Sequence, residues 1–228
     1  MAPRNHAKPA TKRGASAPAG SSLRRGSRAA PAPSNLATNE DANRRGDLIV
    51  AAARLFREKG FDGTTVRDIA AAVGMRSGSP FYHFPSKQAM LLAVMQEGLR
   101  QGLATSQSVI EQKLPVREKF RALVRTHLGI ILEHGNDFIP VMLYDWHALD
   151  DLHRRQIIAM KDRYDTVWQS MTRELAQAGL LRADAKVARL MILGAMNFTA
   201  TWYRPQGALS IDALADQIVT LFLESDRP

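Results

Sequence analysis

Arg76, Ser77, Gly78, Ser79, Tyr82, His83 and Lys87 fall within twelve consecutive residues and carry the chemistry of a surface that meets phosphate and base edges. The Arg76 guanidinium can reach a guanine or a phosphate. The hydroxyls of Ser77 and Ser79 can bond phosphate or base edges, and Gly78 lets the backbone come close. Tyr82 and His83 each put a polar tip on an aromatic body. Lys87 stands in the first turn of a helix, beside backbone N–H groups that themselves favour a phosphate.

The densest other polar cluster is Asp145-Trp146-His147 with Asp150, Asp151 and His153. His147 and Asp151 stand four apart, a spacing that suits a metal pair or an acid–base couple. The run from His147 to Asp151 also spells the HxxxD pattern of some CoA acyltransferases. It lacks that motif's companion His and Gly, and 228 residues is short for those enzymes. The same spacing fits a helix-connecting loop with solvated charges. The expectation is no catalytic residue, no metal site and no cofactor, with a metal-sensing regulator as an alternative.

The charge supports a nucleic-acid partner. Of a formal +9, residues 1–39 carry seven basic side chains and no acid, residues 40–43 two acids, residues 44–93 a net +4, and residues 94–228 a net zero. Residues 1–43 are Ala-, Ser-, Pro- and Arg-rich and read as a disordered basic tail that cannot bury enough apolar surface to fold. The tail resembles a transit peptide in composition, yet two isolated leucines make no amphipathic face, and no apolar core marks a secretory signal. No apolar run approaches the ~18–20 residues of a membrane span, and no cysteine is present to bridge or bind metal. A cytoplasmic protein without membrane contact is expected.

The elements that must position these residues are helical throughout. Leu48, Ala51, Ala52, Leu55 and Phe56 fall at helical spacing, so 44–59 predicts an amphipathic helix ended by Gly60. Thr65, with Asp68 three residues on, predicts the cap of a second helix closed by Gly74. A short third helix carries Phe81 to Phe84, and Ser86 caps a fourth running to about 105. Helix, glycine-containing turn, short helix is the helix-turn-helix pattern, whose second helix enters the major groove. Pro80 disfavours helical geometry at Ser79 and predicts a late start for that helix. Beyond 94, helices are predicted near 115–134, 137–148, 151–178, 184–203 and 210–224, with no alternating strand pattern. The fold class is therefore all-α with about nine helices. A helix-turn-helix domain at 44–93 precedes a larger ligand-binding and dimerisation domain at 94–228.

The stretch Gly60-Phe61-Asp62-Gly63-Thr64-Thr65-Val66-Arg67-Asp68-Ile69-Ala70 through Gly74, followed by Phe81-Tyr82-His83-Phe84-Pro85-Ser86-Lys87, resembles the DNA-binding domain of TetR-type transcriptional regulators. The resemblance implies an all-helical homodimer that binds a double-stranded DNA operator and is released by a small-molecule effector. It implies Thr65 and Lys87 on phosphate, with Ser77, Gly78, Ser79, Tyr82 and His83 on or beside the recognition helix. The sequence departs from the family at Arg76, Ser77, Pro80 and Phe81. Phe81 replaces a tyrosine that commonly bonds phosphate, and is expected to pack instead.

By family position, Phe120, His127, Phe138, Met142, Trp146, Tyr164 and Trp168 are candidates to line an effector pocket, and the last two helices to form the dimer interface. The run Gly194-Ala195-Met196-Asn197-Phe198 to Trp202-Tyr203-Arg204-Pro205 resembles a subgroup that senses acyl-CoA thioesters, in which Arg204 could hold phosphate. A DNA-binding protein without a small-molecule ligand is the remaining alternative.

Overall fold

The computed structural model describes residues 35–76, 79–133 and 135–224. In chain order its helices are α1 (Asn35–Gly63), α2 (Val66–Ala72), α3 (Pro80–His83), α4 (Lys87–Ile110), α5 (Val116–Leu132), α6 (Phe138–Asp145), a 3₁₀ turn at Trp146–Ala148, α7 (Asp151–Gln177), α8 (Ala185–Trp202) and α9 (Ile211–Phe222). Among the described residues the extended pairing is an isolated bridge between Leu181 and Leu223, so the fold is all-α.

The helix boundaries follow local chemistry. Gly60, at φ 72°, breaks α1 where the sequence predicts its end, and one further turn reaches Gly63. A residue with a Cβ would be strained there. Ser86, Asp150, Asp184 and Ser210 each cap the helix that follows by accepting from its first-turn N–H groups. These caps satisfy donors that lack intrahelical partners.

The start of α1 corrects the sequence reading. The helix begins at Asn35, so residues 35–43, assigned to a disordered tail, are helical. Once Leu48, Ala52 and Phe56 anchor a nucleus against the core, each added turn costs little because only nucleation is expensive. The remainder of that tail, residues 1–34, lies outside the described residues.

Two apolar cores stack along α4. The first joins Leu48, Phe56, Ile69, Phe84, Met90 and Val94 with Val141 and Ile157 of α6 and α7. The second joins Phe120, Leu128, Trp168, Met171, Ile192, Met196 and Ile218. The division drawn at 93/94 therefore falls inside α4, and α6 and α7 pack into the core of the N-terminal helices. Gly98 is where α4 and α6 cross most closely: a Cβ there would lie 2.7 Å from Phe138 Cβ.

Candidate DNA-binding face and ligand cavity

The α2–α3 unit is built on capping and one aromatic anchor. Thr65 caps α2 in a reciprocal box: its Oγ1 accepts from Asp68 N–H (3.1 Å), while Asp68 Oδ2 accepts from Thr65 N–H (2.9 Å) and Thr65 O–H (2.7 Å). Those bonds hold the Asp68 carboxyl below its ordinary pKa. The Thr65 hydroxyl proton, expected to meet phosphate, is thus committed within the cap. Phe84 is 3% exposed under the Arg45 guanidinium and pins the end of α3 to α1.

Of the residues expected to face DNA, Arg76, Ser79 and Tyr82 are exposed and His83 is half-buried. Tyr82 reaches 80% exposure and meets the His83 ring edge-on at 5.2 Å. Ser77 and Gly78 lie outside the described residues. Ser79 adopts helical φ/ψ (−64°, −34°) despite the proline after it and makes no side-chain capping bond. The proline biases that geometry without forbidding it, so α3 opens at Pro80. Phe81 departs from expectation: it is 53% exposed beside Tyr82 rather than packed.

Lys87 departs as well. Its Nζ donates to the carbonyls of Phe61 (2.8 Å) and Thr64 (3.0 Å) and lies 4.1 Å from the Phe61 ring centroid. These carbonyls follow the α1 kink, where intrahelical acceptance ends, so the ammonium ties α4 to the α1–α2 connection instead of projecting toward phosphate. Lys87→Ala is accordingly expected to destabilise the fold by roughly 1–3 kcal/mol. Chemical denaturation measures this; unchanged stability with weakened DNA binding would restore the phosphate role.

The effector candidates divide. A cavity of about 270 Å³ between α4, α5, α6, α7 and α8 is lined by His127, Met142 and Tyr164 from the expected set. Phe120 and Trp168 are fully buried behind it, packed edge to face at 6.5 Å. Phe138 faces the α4 crossing at Gly98. Trp146 sits beneath Arg154 and Lys161, 5.9 and 5.0 Å from its ring centroid. Arg204, beyond the end of α8, is exposed and away from the cavity. Aromatic type and family position carry no information on depth, which is why these five were included.

The sequence reading missed Gly98, Gly102, Ile139, Lys161, Asp165, Leu193 and Asn197 as lining residues. Two signals were available. Gly98 and Gly102 are glycines four apart inside a helix, a mark of close approach. Asn197 is a lone amide amid Leu193, Met196 and Phe198, and a polar residue on an apolar stretch needs a partner.

That partner is a directed chain of hydrogen bonds crossing four helices. Ser106 Oγ donates to Tyr164 Oη at 3.5 Å. Tyr164 Oη lies 2.7 Å from His127 Nδ1, and His127 Nε2 lies 3.1 Å from Asn197 Oδ1. Since Oδ1 accepts only, Nε2 carries the proton and Nδ1 accepts from the tyrosine. Burial pushes the His127 pKa down to about 4, against a smaller upward pull from Asn197, and the ring is neutral at pH 7. Burial also raises the Tyr164 pKa.

His127 links stability to pH. Its pKa lies below the unfolded value near 6.5, so between pH 6.5 and 4 the unfolded chain binds more protons. The folded state should therefore lose on the order of 3 kcal/mol as pH falls through that window. Urea denaturation at pH 7 and pH 4 should show this loss in the native chain and a much smaller one in His127→Gln; parallel losses would contradict it.

The cavity and α1 are joined through α6. Ile139 and Met142 line the cavity from α6. At one end of α6, Asp137 pairs with Arg57 of α1 at 3.0 Å. At the other, buried Asp145 accepts from Phe61 N–H at 3.2 Å. Burial raises the Asp145 pKa. The cluster singled out for metal or acid–base chemistry is thus drawn into structural bonds: Asp145 on α1, Asp150 as the α7 cap and Asp151 on Arg154. Among the described residues no group of three His, Cys, Asp or Glu side chains is placed to hold a metal ion.

An apolar stripe runs along the outer face of α8. Val187, Leu190, Met191, Phe198 and Trp202 are 51%, 57%, 60%, 64% and 44% exposed. On α9 only Leu221 is comparably exposed, at 69%. Leu214 and Ile218, on the last helix expected to share the dimer interface, are buried in the chain's own core. Asp212 and Asp216 of α9 pair with Arg125 and Arg121 of α5 at 3.2 and 2.5 Å. Among the described residues no helix is long and apolar enough to cross a membrane.

Comparison with known proteins agrees with this architecture. Residues 48–94 match the family model "Bacterial regulatory proteins, tetR family", and residues 113–225 match "Tetracyclin repressor-like, C-terminal domain". The chain is 28% identical to the HTH-type transcriptional repressor KstR2 of Rhodococcus jostii over 82% of its own length and 93% of the relative's. It resembles the crystal structure of superantigen PfiT (39% identity, TM-score 0.71, covering 80% of this chain and 97% of that one). It also resembles AibR in complex with isovaleryl coenzyme A and operator DNA (26% identity, TM-score 0.72, 78% and 97%). With both models matched in order, and with the helix-turn-helix and cavity-bearing units where they require, the chain belongs to the TetR family of bacterial regulatory proteins.

Proposed function

We propose that the chain is a homodimeric, sequence-specific repressor, acting in the cytoplasm and released from its operator by a small molecule bound in the α4–α8 cavity. The observation that carries this reading is α6, which lines the cavity with Ile139 and Met142 and is bonded at both ends to α1, through Arg57 and Phe61. A ligand that displaces Met142 changes what holds the DNA-facing helices, and so has different affinity for the bound and released states, as ligand control requires. Arg76, Ser79, Phe81 and Tyr82 are the DNA-facing residues of this proposal. The α8 stripe pairs with its copy across a two-fold axis, which sets two recognition helices one DNA turn apart. The family's regulators act by binding rather than by turnover, and no catalytic role is assigned.

The relative bound to isovaleryl coenzyme A supports an acyl thioester as effector. The cavity is smaller than the roughly 300–1,000 Å³ of drug-sized sites, so it takes the acyl end, with the nucleotide outside and Arg204 uninvolved. The test is operator release: short branched and straight acyl-CoAs are titrated into a protein–operator complex selected in vitro from random duplexes. Release at micromolar acyl-CoA and none with CoA alone is expected. Release by no apolar metabolite would leave a regulator without a ligand.

A further inference from the structure

The hydrogen bonds inside the cavity have a direction, and the direction selects a ligand. Ser106 donates to Tyr164, Tyr164 to His127 Nδ1, and His127 Nε2 to Asn197 Oδ1. Each hydroxyl proton and the imidazole proton is thereby used within the chain. Asn197 lines the cavity from α8 at the end of the relay, and with Oδ1 taken by His127 its amide Nδ2 is the donor it has to offer.

The charges at the cavity mouth do not favour an anion. Asp165 is paired with Arg189. Lys161, which stands over the Trp146 ring, is adjacent to Asp162. The charged lining residues are Lys161, Asp162 and Asp165, and with Arg189 paired to Asp165 the charges sum to zero. With burial holding His127 neutral, the interior offers no positive charge. A carboxylate entering it would lose its hydration without an ion pair to replace it, which is the costly case. A neutral carbonyl oxygen has less to lose and finds one donor waiting.

We infer that the cavity selects an uncharged carbonyl compound with an apolar tail, an ester, thioester, ketone or lactone, whose oxygen accepts from Asn197 Nδ2, and that it excludes the free acid of the same chain. This rests on the effector reading above and narrows it: Asn197 is the specificity-determining residue, and His127 and Tyr164 position its amide. Asn197→Asp keeps an acceptor for His127 Nε2 but removes the donor. Asn197→Leu removes both at similar volume.

The probes are methyl octanoate and octanoate, titrated calorimetrically into the full chain at pH 7.5 without DNA. The ester is expected to bind at least about tenfold more tightly than the acid, the scale of one hydrogen bond plus an unpaired charge. Asn197→Asp is expected to weaken ester binding about tenfold or more, and Asn197→Leu to do the same should the aspartate variant not fold. Octanoate binding as tightly as the ester would place the ligand head on Lys161 and overturn the inference. So would binding of neither probe, or ester affinity unchanged in the folded variants. DNA is absent, so these results are independent of whether the chain binds an operator, and failure of operator binding leaves them standing.

Discussion

Phe198→Glu should convert the proposed dimer to a monomer and weaken operator binding roughly 10²–10⁴-fold, the range lost when a second linked contact is removed. Phe198 is 64% exposed at the centre of a stripe formed by Leu190, Met191 and Trp202 on one side of α8. Its side chain does not face the chain's own core, which takes Ile192, Met196 and Thr199 from the opposite side of the helix. A carboxylate there must be desolvated against its copy across the two-fold axis, without a cation to meet it. Folding of the monomer should be nearly unaffected. Sedimentation velocity and a mobility-shift titration measure the two effects; a dimer that persists with full operator affinity would move the interface off α8.

The second large effect belongs to the recognition helix. Arg76→Ala and Tyr82→Ala should each reduce operator affinity about 10–100-fold, the range of 1–3 kcal/mol for a lost base contact. Both residues are exposed, and Tyr82 touches little beyond the His83 ring. Thermal stability should therefore stay within about 0.5 kcal/mol of the native chain. Salt dependence separates the roles. If Arg76 meets a phosphate, its removal lowers the salt slope by about one. If it meets a base, the slope holds and sequence preference relaxes. Unchanged affinity in both variants would mean α3 does not face the groove. Lys87→Ala is the internal contrast, since its contacts predict lost stability rather than a lost phosphate.

Much of the fold was legible because it rests on local chemistry. Gly60, Thr65 with Asp68, Ser86 and Asp150 mark helix ends through backbone geometry and capping, which depend on a few adjacent residues. What the sequence could not carry was depth and direction across the fold. Leu214 and Ile218 follow the same helical spacing as a partner-facing stripe, yet face inward, where they pack in the core with Leu128, Trp168 and Ile192. Lys87 reads as a phosphate ligand until the α1 kink brings the carbonyls of Phe61 and Thr64 to it from twenty-six and twenty-three residues away. At the cavity, aromatic residues drew the sequence reading to Phe120 and Trp168, which form its back wall. The polar end is Asn197, whose importance depends on a histidine seventy residues earlier.

The basic balance of the whole chain takes on a narrower meaning with the structure. The DNA-facing surface proposed above holds Arg76, Ser79, Phe81 and Tyr82, with Lys87 turned inward, so on that proposal specificity rests on few side chains rather than on bulk charge. On the same proposal, ligand control acts on their placement through α6 and its bonds to Arg57 and Phe61.

The central claim is that the chain is a dimeric, sequence-specific DNA-binding regulator. The most direct measurement is in vitro selection from random duplexes with the full chain, followed by affinity for the selected site and for unrelated DNA at one fixed salt concentration. A palindromic site whose half-sites lie one helical turn apart, two protomers bound, and a specificity ratio of at least about 10³ are expected. A ratio near one, with binding that simply falls steeply with salt, would contradict it.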